Sequence, residues 1–302
     1  MEEKRKMREE MMCRLAEAVK EAVGMKCTVQ FRKVEKNNGL MLQSVEIREP
    51  GMNVAPAIYI DSILERAEAG KISLSDAAGE IADIYRDAKD SCFPGVPDDV
   101  AGISKEHILD RVVYQVISSE KNRGRLADLP HKELLDLSVI YRFIVSENKD
   151  GVSSIVLNHE ICSRYDINED ELDLAAMKNT KEKGFCVMTV EEIMTEITGV
   201  SVEECHNELS PMYILTNTTR RYGAAVMLYE EYFLELAGMI KGDLYIMPSS
   251  IHEVIAIPAV GSDPDELRRI VTEVNMDVVP EDEVLGESVY RYNSEKGKLE
   301  IA

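Results

Sequence analysis

Apolar residues near the start of the chain recur with the spacing of an amphipathic helix. The residues on this face are Met11, Met12, Leu15, Ala18, Val19 and Ala22. Gly24 follows the last of them and provides a C-terminal stop. We therefore predict a helix over residues 1–24, and its apolar stripe must dock either on the protein's own core or on a partner helix.

Three stretches of the chain read as β-hairpins, because apolar and polar residues alternate on both sides of a run of turn residues. The first turns at Asn37-Asn38-Gly39, with a bulge expected near Gln43-Ser44, where the apolar phase shifts. The second runs from Leu135 through a turn at 148–151. The third joins 213–216 to 224–228.

Helices are indicated over residues 61–69 and 74–90, beside the first hairpin. Further helix starts are predicted from capping residues, namely Asn168 with Glu171, Thr189 with Glu192, Ser201 with Glu204, and Asp263 followed by Pro264. The segment beyond Pro280 shows weaker patterning, and we expect it to be only partly ordered.

The resulting prediction is an α+β protein in which antiparallel β-hairpins pack against helices, in two lobes. Proline and glycine concentrate in residues 91–103 and favour a boundary there. We therefore divide the chain into an N-terminal amphipathic helix over 1–24, a hairpin-plus-helices unit over 25–98 and a larger α+β unit over 103–302.

The net charge of −21 opposes nucleic-acid phosphates, so no nucleic-acid partner is expected. The chain begins without the apolar core of a signal peptide and contains no apolar run long enough to span a membrane. These features predict a cytoplasmic protein with no membrane partner. The six cysteines are widely spaced, which favours reduced thiols over disulfides or a zinc site.

Metal and cofactor motifs fail on their spacing. His159-Glu160 lacks the second histidine of a zinc-protease helix, and the calcium-loop pattern that begins at Asp166 has Glu171 in place of the required glycine. Neither of the common glycine-rich phosphate-binding loops occurs. We predict no metal and no cofactor. The basic residues at 121–125 and at 220–221 fit either an anion site or solvated loops.

The strongest candidate site lies in residues 244–258, where two apolar runs meet at Pro248-Ser249-Ser250 and the second run carries only two polar residues, His252 and Glu253. In an extended chain Ser250 and His252 would share a face, about 6.5 Å apart, with Glu253 on the opposite face. These three residues would then form no catalytic triad, and a hydrogen-bonded structural histidine is the favoured interpretation. A perturbed pKa in a cleft would instead mark a functional site.

Three hypotheses about function remain open at this point. We favour a non-catalytic interaction or ligand-binding protein, with an unknown protein or small-molecule partner. The alternative is a hydrolase or transferase in which His252 or Glu253 is the general acid or base and Ser249, Ser250 or Asp136 supports it. A third hypothesis is an acidic protein that mimics nucleic acid, which would require one continuous carboxylate face.

Four stretches of the sequence, PHKELLDLSVIYRF at 130–143, INEDELDLAAMKNT at 167–180, YGAAVMLY at 222–229 and LYIMPSSIHEVIAIP at 244–258, together resemble a bacterial family of unknown function. The resemblance extends from about Val29 to Tyr292, and the PSSIHE segment is among its most specific parts. Residues 155–258 are more distantly similar to a second uncharacterised bacterial family. The resemblance implies a shared fold and no activity.

Overall fold

A computed structural model describes residues 2–24, 26–50, 55, 57–92, 103–147, 152–199 and 211–302 of the chain. The chain separates into two compact units. The first unit comprises Met1–Lys36, Leu40–Ile108 and Ile144–Ile155, and the second comprises Asn37–Gly39, Leu109–Phe143 and Val156–Ala302. The fold is α+β, with antiparallel strands packed against helices, as the sequence predicts.

The first unit contains a small antiparallel sheet covered by helices. Its strands are β1 (Thr28–Glu35), β2 (Met41–Arg48) and β3 (Ala57–Tyr59), in the order β1-β2-β3. Its helices are α1 (Glu2–Val23), α2 (Asp61–Glu68) and α3 (Leu74–Cys92), and α4 (Lys105–Leu109) follows at its boundary. The first hairpin and the helices beside it are confirmed.

The bulge expected near Gln43-Ser44 is absent. The register between β1 and β2 is unbroken there, with Lys33 opposite Gln43 and Arg32 opposite Ser44. The apolar phase shifts because Ser44 takes a buried position and its hydroxyl donates to the carbonyl oxygen of Arg32, 3.3 Å away. A buried hydroxyl that is hydrogen-bonded in this way needs no irregular backbone.

The apolar stripe of α1 docks on the protein's own core. Leu15 and Val19 are fully buried and belong to one cluster with Ile47, Ile81 and Tyr85 from β2 and α3. Full burial of an aliphatic side chain contributes roughly 1.5–3 kcal/mol. The alternative of a partner helix is therefore not needed to explain the stripe.

Two further sheets are antiparallel throughout. The first has the order β4-β6-β5, with β7 paired to β6, and consists of β4 (Val112–Ser118), β5 (His131–Leu134), β6 (Leu137–Glu147) and β7 (Val152–Val156). The second has the order β13-β12-β10-β11-β9-β8 and consists of β8 (Phe185–Thr189), β9 (Tyr213–Asn217), β10 (Leu244–Met247), β11 (Val254–Pro258), β12 (Tyr290–Asn293) and β13 (Lys298–Ile301). The second predicted hairpin is confirmed by the β6–β7 pairing, whereas its turn at 148–151 lies outside the described residues.

Six α-helices belong to the second unit, counted over its described residues. They are α5 (Arg123–Leu126), α6 (His159–Arg164), α7 (Glu169–Glu182), α8 (Val190–Thr198), α9 (Glu230–Ile240) and α10 (Pro264–Asp277). The capping boxes of α7 and α8 and the Asp263 cap of α10 are confirmed. The start predicted at Ser201 and most of the boundary tract at 91–103 lie outside the described residues.

The third predicted hairpin is wrong. Residues Gly223–Leu228 form a 3₁₀ helix, not a strand. The physical reason is that β9 pairs with β11 on one side and β8 on the other, so neither edge of β9 is left for a returning strand.

The expectation of a partly ordered C-terminal segment is also wrong. Tyr290 and Tyr292 are completely buried, and their strand, β12, pairs with both β10 and β13. The stretch before β12 is held as well, because the Asn38 side chain donates to the carbonyl oxygens of Glu281 and Val284 at 2.8 and 2.7 Å. These hydrogen bonds lie within the second unit.

Candidate functional site

The candidate segment after β10 is a tight turn, and the chain is extended only from Val254 onward, so the geometry considered for an extended chain does not apply to Ser250, His252 and Glu253. The main-chain N–H of Ser250 donates to the carbonyl oxygen of Glu253 at 3.2 Å and closes this turn. The turn carries the Glu253 carboxylate back toward the serines. The hydroxyl of Ser250 donates to Glu253 Oε1 at 2.8 Å, and that of Ser249 lies 3.4 Å from the same oxygen.

The imidazole of His252 is fixed by two groups that the sequence pattern did not indicate. Its Nδ1 accepts a hydrogen bond from the main-chain N–H of Tyr222 at 3.1 Å, and its Nε2 lies 3.5 Å from Glu283 Oε1. Because Nδ1 is an acceptor here, the proton of the neutral ring is on Nε2 and faces the carboxylate. The side chain is only 17% exposed.

The serine of this turn is not activated by the histidine. Ser250 is buried, and its hydroxyl accepts from the main-chain N–H of His252 at 3.0 Å while it donates to Glu253. Activation of a serine nucleophile requires a hydrogen bond from its hydroxyl to the ring of a base. The ring of His252 faces Tyr222 and Glu283 instead. The local geometry is that of a hydrogen-bonded structural turn.

The loop that presents Tyr222 is organised around one buried amide. Asn217 accepts from the main-chain N–H of Arg221 at 3.2 Å and from the Thr219 hydroxyl at 3.1 Å, and it donates to the carbonyl oxygen of Arg221 at 2.7 Å. Tyr222 has a φ of 58°, in the left-handed region that favours glycine. The guanidinium of Arg142 stacks over its ring, 4.9 Å from the centroid.

Asp136 belongs to a different cluster. It lies in the two-residue turn between β5 and β6, where Oδ1 accepts from the Tyr290 hydroxyl at 2.7 Å and Oδ2 accepts from the Ser288 hydroxyl at 2.6 Å. Burial and the hydrogen bond to Asp136 raise the pKa of Tyr290. Among the described residues, no hydrogen bond joins Asp136 to the turn at 249–253. The structure therefore splits the five candidate residues into two clusters.

A groove of about 750 Å³ lies beside the β5–β6 turn. The residues that line it are Ser119, Glu120, Arg123, Leu126, Ala127, His131, Glu133, Leu135, Asp136 and Ser138. The hydroxyls of Ser119 and Ser138 are 2.7 Å apart. His131 Nδ1 contacts the carbonyl oxygen of Leu129 at 2.8 Å, so it carries the ring proton and leaves Nε2 as an acceptor. Leu135 has a φ of 57°, an uncommon conformation for a branched apolar residue.

A third cluster was missed by the sequence analysis. Tyr114 and Tyr141 are opposite each other on β4 and β6, and both hydroxyls donate to Asp173 Oδ1 at 2.8 Å. The ammonium of Lys132 reaches the same oxygen at 2.7 Å. Burial raises the pKa of the Asp173 carboxyl, but these three hydrogen bonds outweigh it and hold the pKa below its usual range. Burial, then the hydrogen bond to Asp173, raises the pKa of both tyrosines.

Side-chain contacts connect the four sequence stretches that carry the family resemblance. The pairs are Tyr141 with Asp173, Tyr229 with the carbonyl oxygen of Met177 at 2.9 Å, Arg142 with Tyr222, and Tyr222 with His252. Residues that are far apart along the chain are therefore brought into one connected set. Each of these contacts depends on long-range register, which local patterning does not specify.

Metal-ligating clusters and membrane-spanning helices are absent from the described part of the chain. No group of three or more histidine, cysteine, aspartate or glutamate side chains there is placed to hold a metal ion. No described helix is both long enough and apolar enough to cross a membrane. Free thiols among the described residues include those of Cys13, Cys27, Cys162 and Cys186.

The fold and these clusters define an α+β protein with antiparallel sheets, a polar groove at one hairpin turn and a histidine held in a structural turn. The chain belongs to the family of unknown function DUF5688, whose model matches residues 8–294. Membership in an uncharacterised family, expected from the four stretches above, is thereby confirmed. Searches of curated proteins and of solved structures each return no match.

Proposed function

We propose that the protein is a non-catalytic ligand-binding protein of the cytoplasm and that its ligand occupies the groove beside the β5–β6 turn. The observation that carries this proposal is that opposite charges line one groove without pairing. The side chain of Arg123 has no hydrogen-bond or ion-pair partner among the described residues, and neither does the carboxylate of Glu120 or of Glu133. A ligand that carries both an acidic and a basic group would complement both signs.

The chemistry of the groove favours a small zwitterion such as a free α-amino acid. A guanidinium binds a carboxylate through two parallel hydrogen bonds, which suits Arg123 to the acidic end of such a ligand. The carboxylates of Glu120 and Glu133 suit its ammonium group. The volume of about 750 Å³ lies within the range usual for small-molecule sites.

The turn beside the groove is anchored from below. Asp136 is held by Tyr290 and Ser288, so the backbone that carries Leu135 and Glu133 is fixed before a ligand arrives. A preorganised site avoids part of the entropy cost of ordering its side chains. The free thiols of Cys27 and Cys162 support a reducing, cytoplasmic location.

The hydrolase or transferase alternative draws no support from the turn at 249–253. There Ser250 is bonded to Glu253, and the ring nitrogens of His252 face Tyr222 and Glu283. A general base must lie within hydrogen-bond reach of the proton that it removes. We therefore favour binding over catalysis.

The proposal is tested by ligand-observed saturation-transfer NMR with a mixture of free L-amino acids and the full-length protein. We expect one or a few of them to bind, and Arg123→Ala to weaken that binding about ten- to a hundredfold, as loss of a charged hydrogen-bond pair does. The matched control is Arg269→Ala, since Arg269 is also exposed and has no partner among the described residues. Absence of binding, equal loss in both variants, or chemical conversion of the bound amino acid would each overturn the proposal.

A further inference from the structure

A second pocket, of about 400 Å³, lies at the edge of the six-stranded sheet and is independent of the groove. Helix α9 contributes one face to it, with Tyr232, Glu235, Leu236 and Met239 at the spacing of successive helical turns. The opposite wall comes from β8 and β9, with Phe185, Val187, Met188, Thr189 and Tyr213, and Glu192 of α8 completes the lining.

Three aromatic rings, those of Phe185, Tyr213 and Tyr232, line this second pocket. The ring centroids of Phe185 and Tyr232 are 5.2 Å apart and their planes differ by 64°, so the two rings form walls of different orientation. Tyr213 is brought to the same end of the sheet because it is opposite Thr189 in the register of β8 and β9. The faces of aromatic rings are electron-rich and attract cations within about 6 Å of the centroid.

The charged residues of the pocket have one sign. Glu192 and Glu235 line it, and no lysine, arginine or histidine is among its described lining residues. Glu192 is oriented by the capping box of α8, where it accepts from the main-chain N–H of Thr189 at 2.7 Å. The nearby Arg220 contacts the sulfur of Met188 at 3.8 Å, but its charge is offset by an ion pair with Glu196.

The floor of the pocket is apolar. Leu236 is almost completely buried, and Met188 and Met239 add polarizable thioethers at the sides. An ordinary primary ammonium would lose strong hydration at such a surface. Methyl groups on the nitrogen lower that desolvation cost while keeping the positive charge, and recognition of quaternary ammonium groups by aromatic cages follows this principle.

We propose that this pocket binds a small methylated ammonium ion, held by the rings of Phe185, Tyr213 and Tyr232 and by the negative charge of Glu235. The proposal does not rest on the zwitterion groove, because the two sites share no residue. The ligand is a free small molecule, since the pocket volume fits a compact cation of a few heavy atoms.

The first experiment titrates choline into full-length protein whose methionine methyl groups are labelled with carbon-13, at constant ionic strength. We expect saturable shifts of the Met188 and Met239 methyl signals. The matched probe is dimethylbutanol, the neutral isostere in which carbon replaces the nitrogen of choline. It should bind at least about tenfold more weakly, because it lacks the charge that the rings and carboxylates recognise. Equal binding of the two probes, or no binding of choline, would overturn the proposal.

Variants then test the contribution of the Tyr232 ring and that of the Glu235 charge independently. Tyr232→Leu keeps an apolar side chain in the pocket and should weaken choline binding about five- to thirtyfold, whereas Tyr232→Phe should retain it. Glu235→Gln should weaken binding, and Glu273→Gln, a change at an exposed glutamate of α10 without a partner among the described residues, should not. The shifts of unaffected methionine signals report whether each variant is folded.

Two outcomes of this series would contradict the proposal. Choline binding that survives Tyr232→Leu would remove the aromatic rings from recognition. Equal weakening by Glu235→Gln and Glu273→Gln would reduce the effect to the net charge of −21. Arg123→Ala should leave choline binding unchanged, so a failure of the groove proposal and a failure of this one are distinguishable.

Discussion

The main-chain N–H of Tyr222 donates a hydrogen bond to Nδ1 of His252 at 3.1 Å and joins two loops that are thirty residues apart. A second hydrogen bond holds the same two loops together. The Thr216 hydroxyl donates to the carbonyl oxygen of His252 at 2.7 Å. The contact leaves almost no space beside Gly223. The histidine of the PSSIHE segment therefore serves as an anchor for the loop at 217–223.

Gly223→Ala should destabilise the protein strongly. A Cβ at this position would lie 2.2 Å from Thr216 Oγ1, 2.4 Å from the carbonyl oxygen of His252 and 2.8 Å from the Asn217 nitrogen. Two of these neighbours are main-chain atoms that cannot move without breaking the loop contact. We expect a loss of about 3 kcal/mol or more in the free energy of unfolding, measured by urea denaturation.

Gly238→Ala is the matched control for this prediction. Gly238 lies in α9, and a Cβ there would meet no atom within 4 Å. Alanine is favoured over glycine inside a helix, so this variant should be more stable than the natural protein by about 0.5–1 kcal/mol. If both variants behaved alike, the close approach at Gly223 would not be what determines its identity.

Asp173→Asn should cost about 2 kcal/mol of stability. The change removes the charge that Lys132, Tyr114 and Tyr141 share, while an amide oxygen still accepts from the hydroxyls. The expected loss is moderate because the Asp173 side chain is 37% exposed and solvent screens its ion pair. Unfolding in urea measures the loss.

Asp170→Asn, on the same helix, is the control for this cluster. Asp170 is exposed in the first turn of α7 and its carboxylate has no side-chain partner among the described residues, so the change should remove only a helix-dipole contribution of at most about 0.5 kcal/mol. A similar loss in both variants would mean that the tyrosine and lysine contacts of Asp173 contribute nothing specific.

Local patterns were sufficient for much of the fold. The turn at Asn37-Asn38-Gly39 and the caps at Asn168 and Thr189 depend on residues within three or four positions of each other, and these elements are confirmed. The apolar run at Gly223–Leu228 was wrongly predicted as a strand. Its residues are apolar because they are buried as a 3₁₀ helix, not because they pair with another strand. Tyr290 and Tyr292 alternate with Arg291 and Asn293, a pattern typical of a strand, but the sequence analysis did not predict one there.

The candidate site was less predictable because it depends on contacts across sheets. Sequence reasoning placed His252 and Glu253 in the second apolar run, with Glu253 on the face opposite Ser250 in an extended chain. The turn closed by Ser250 and Glu253 reverses that geometry. The Asp173 cluster requires the β4–β6 register, which joins residues Tyr114 and Tyr141. No local pattern specifies that register.

Asp243 should make stability fall in acid. Its carboxylate accepts from the side chain and main chain of Ser294, and with Arg291 these contacts lower its pKa from 3.8 to about 2. The native state therefore favours the ionised form. This contribution is complete above about pH 5 and is lost as the pH falls from about 4 to about 2, and it amounts to about 1 kcal/mol once solvent screening is allowed for.

The measurement is the difference in free energy of unfolding between the natural protein and Asp243→Asn, followed from about pH 6 to about pH 2, a range that brackets the pKa of the carboxyl. The difference should be constant at the upper end and shrink toward zero at the lower end. A difference that stayed constant through the whole series would show that the Ser294 and Arg291 contacts do not depend on ionisation.

Leu135→Asn should stabilise the free protein and weaken its binding of the ligand. Leu135 has a φ of 57°, which costs a branched residue roughly 1 kcal/mol, and asparagine tolerates this conformation better. The side chain is 42% exposed, so little buried area is lost, and the free energy of unfolding should rise by about 0.5–1 kcal/mol.

The control is Leu174→Asn, at an exposed position of α7, which should instead lower the free energy of unfolding slightly. Because Leu135 lines the groove, the amino-acid titration proposed above should show weaker binding to Leu135→Asn and unchanged binding to Leu174→Asn. Stabilisation together with undiminished binding would show that the strained turn serves the fold alone.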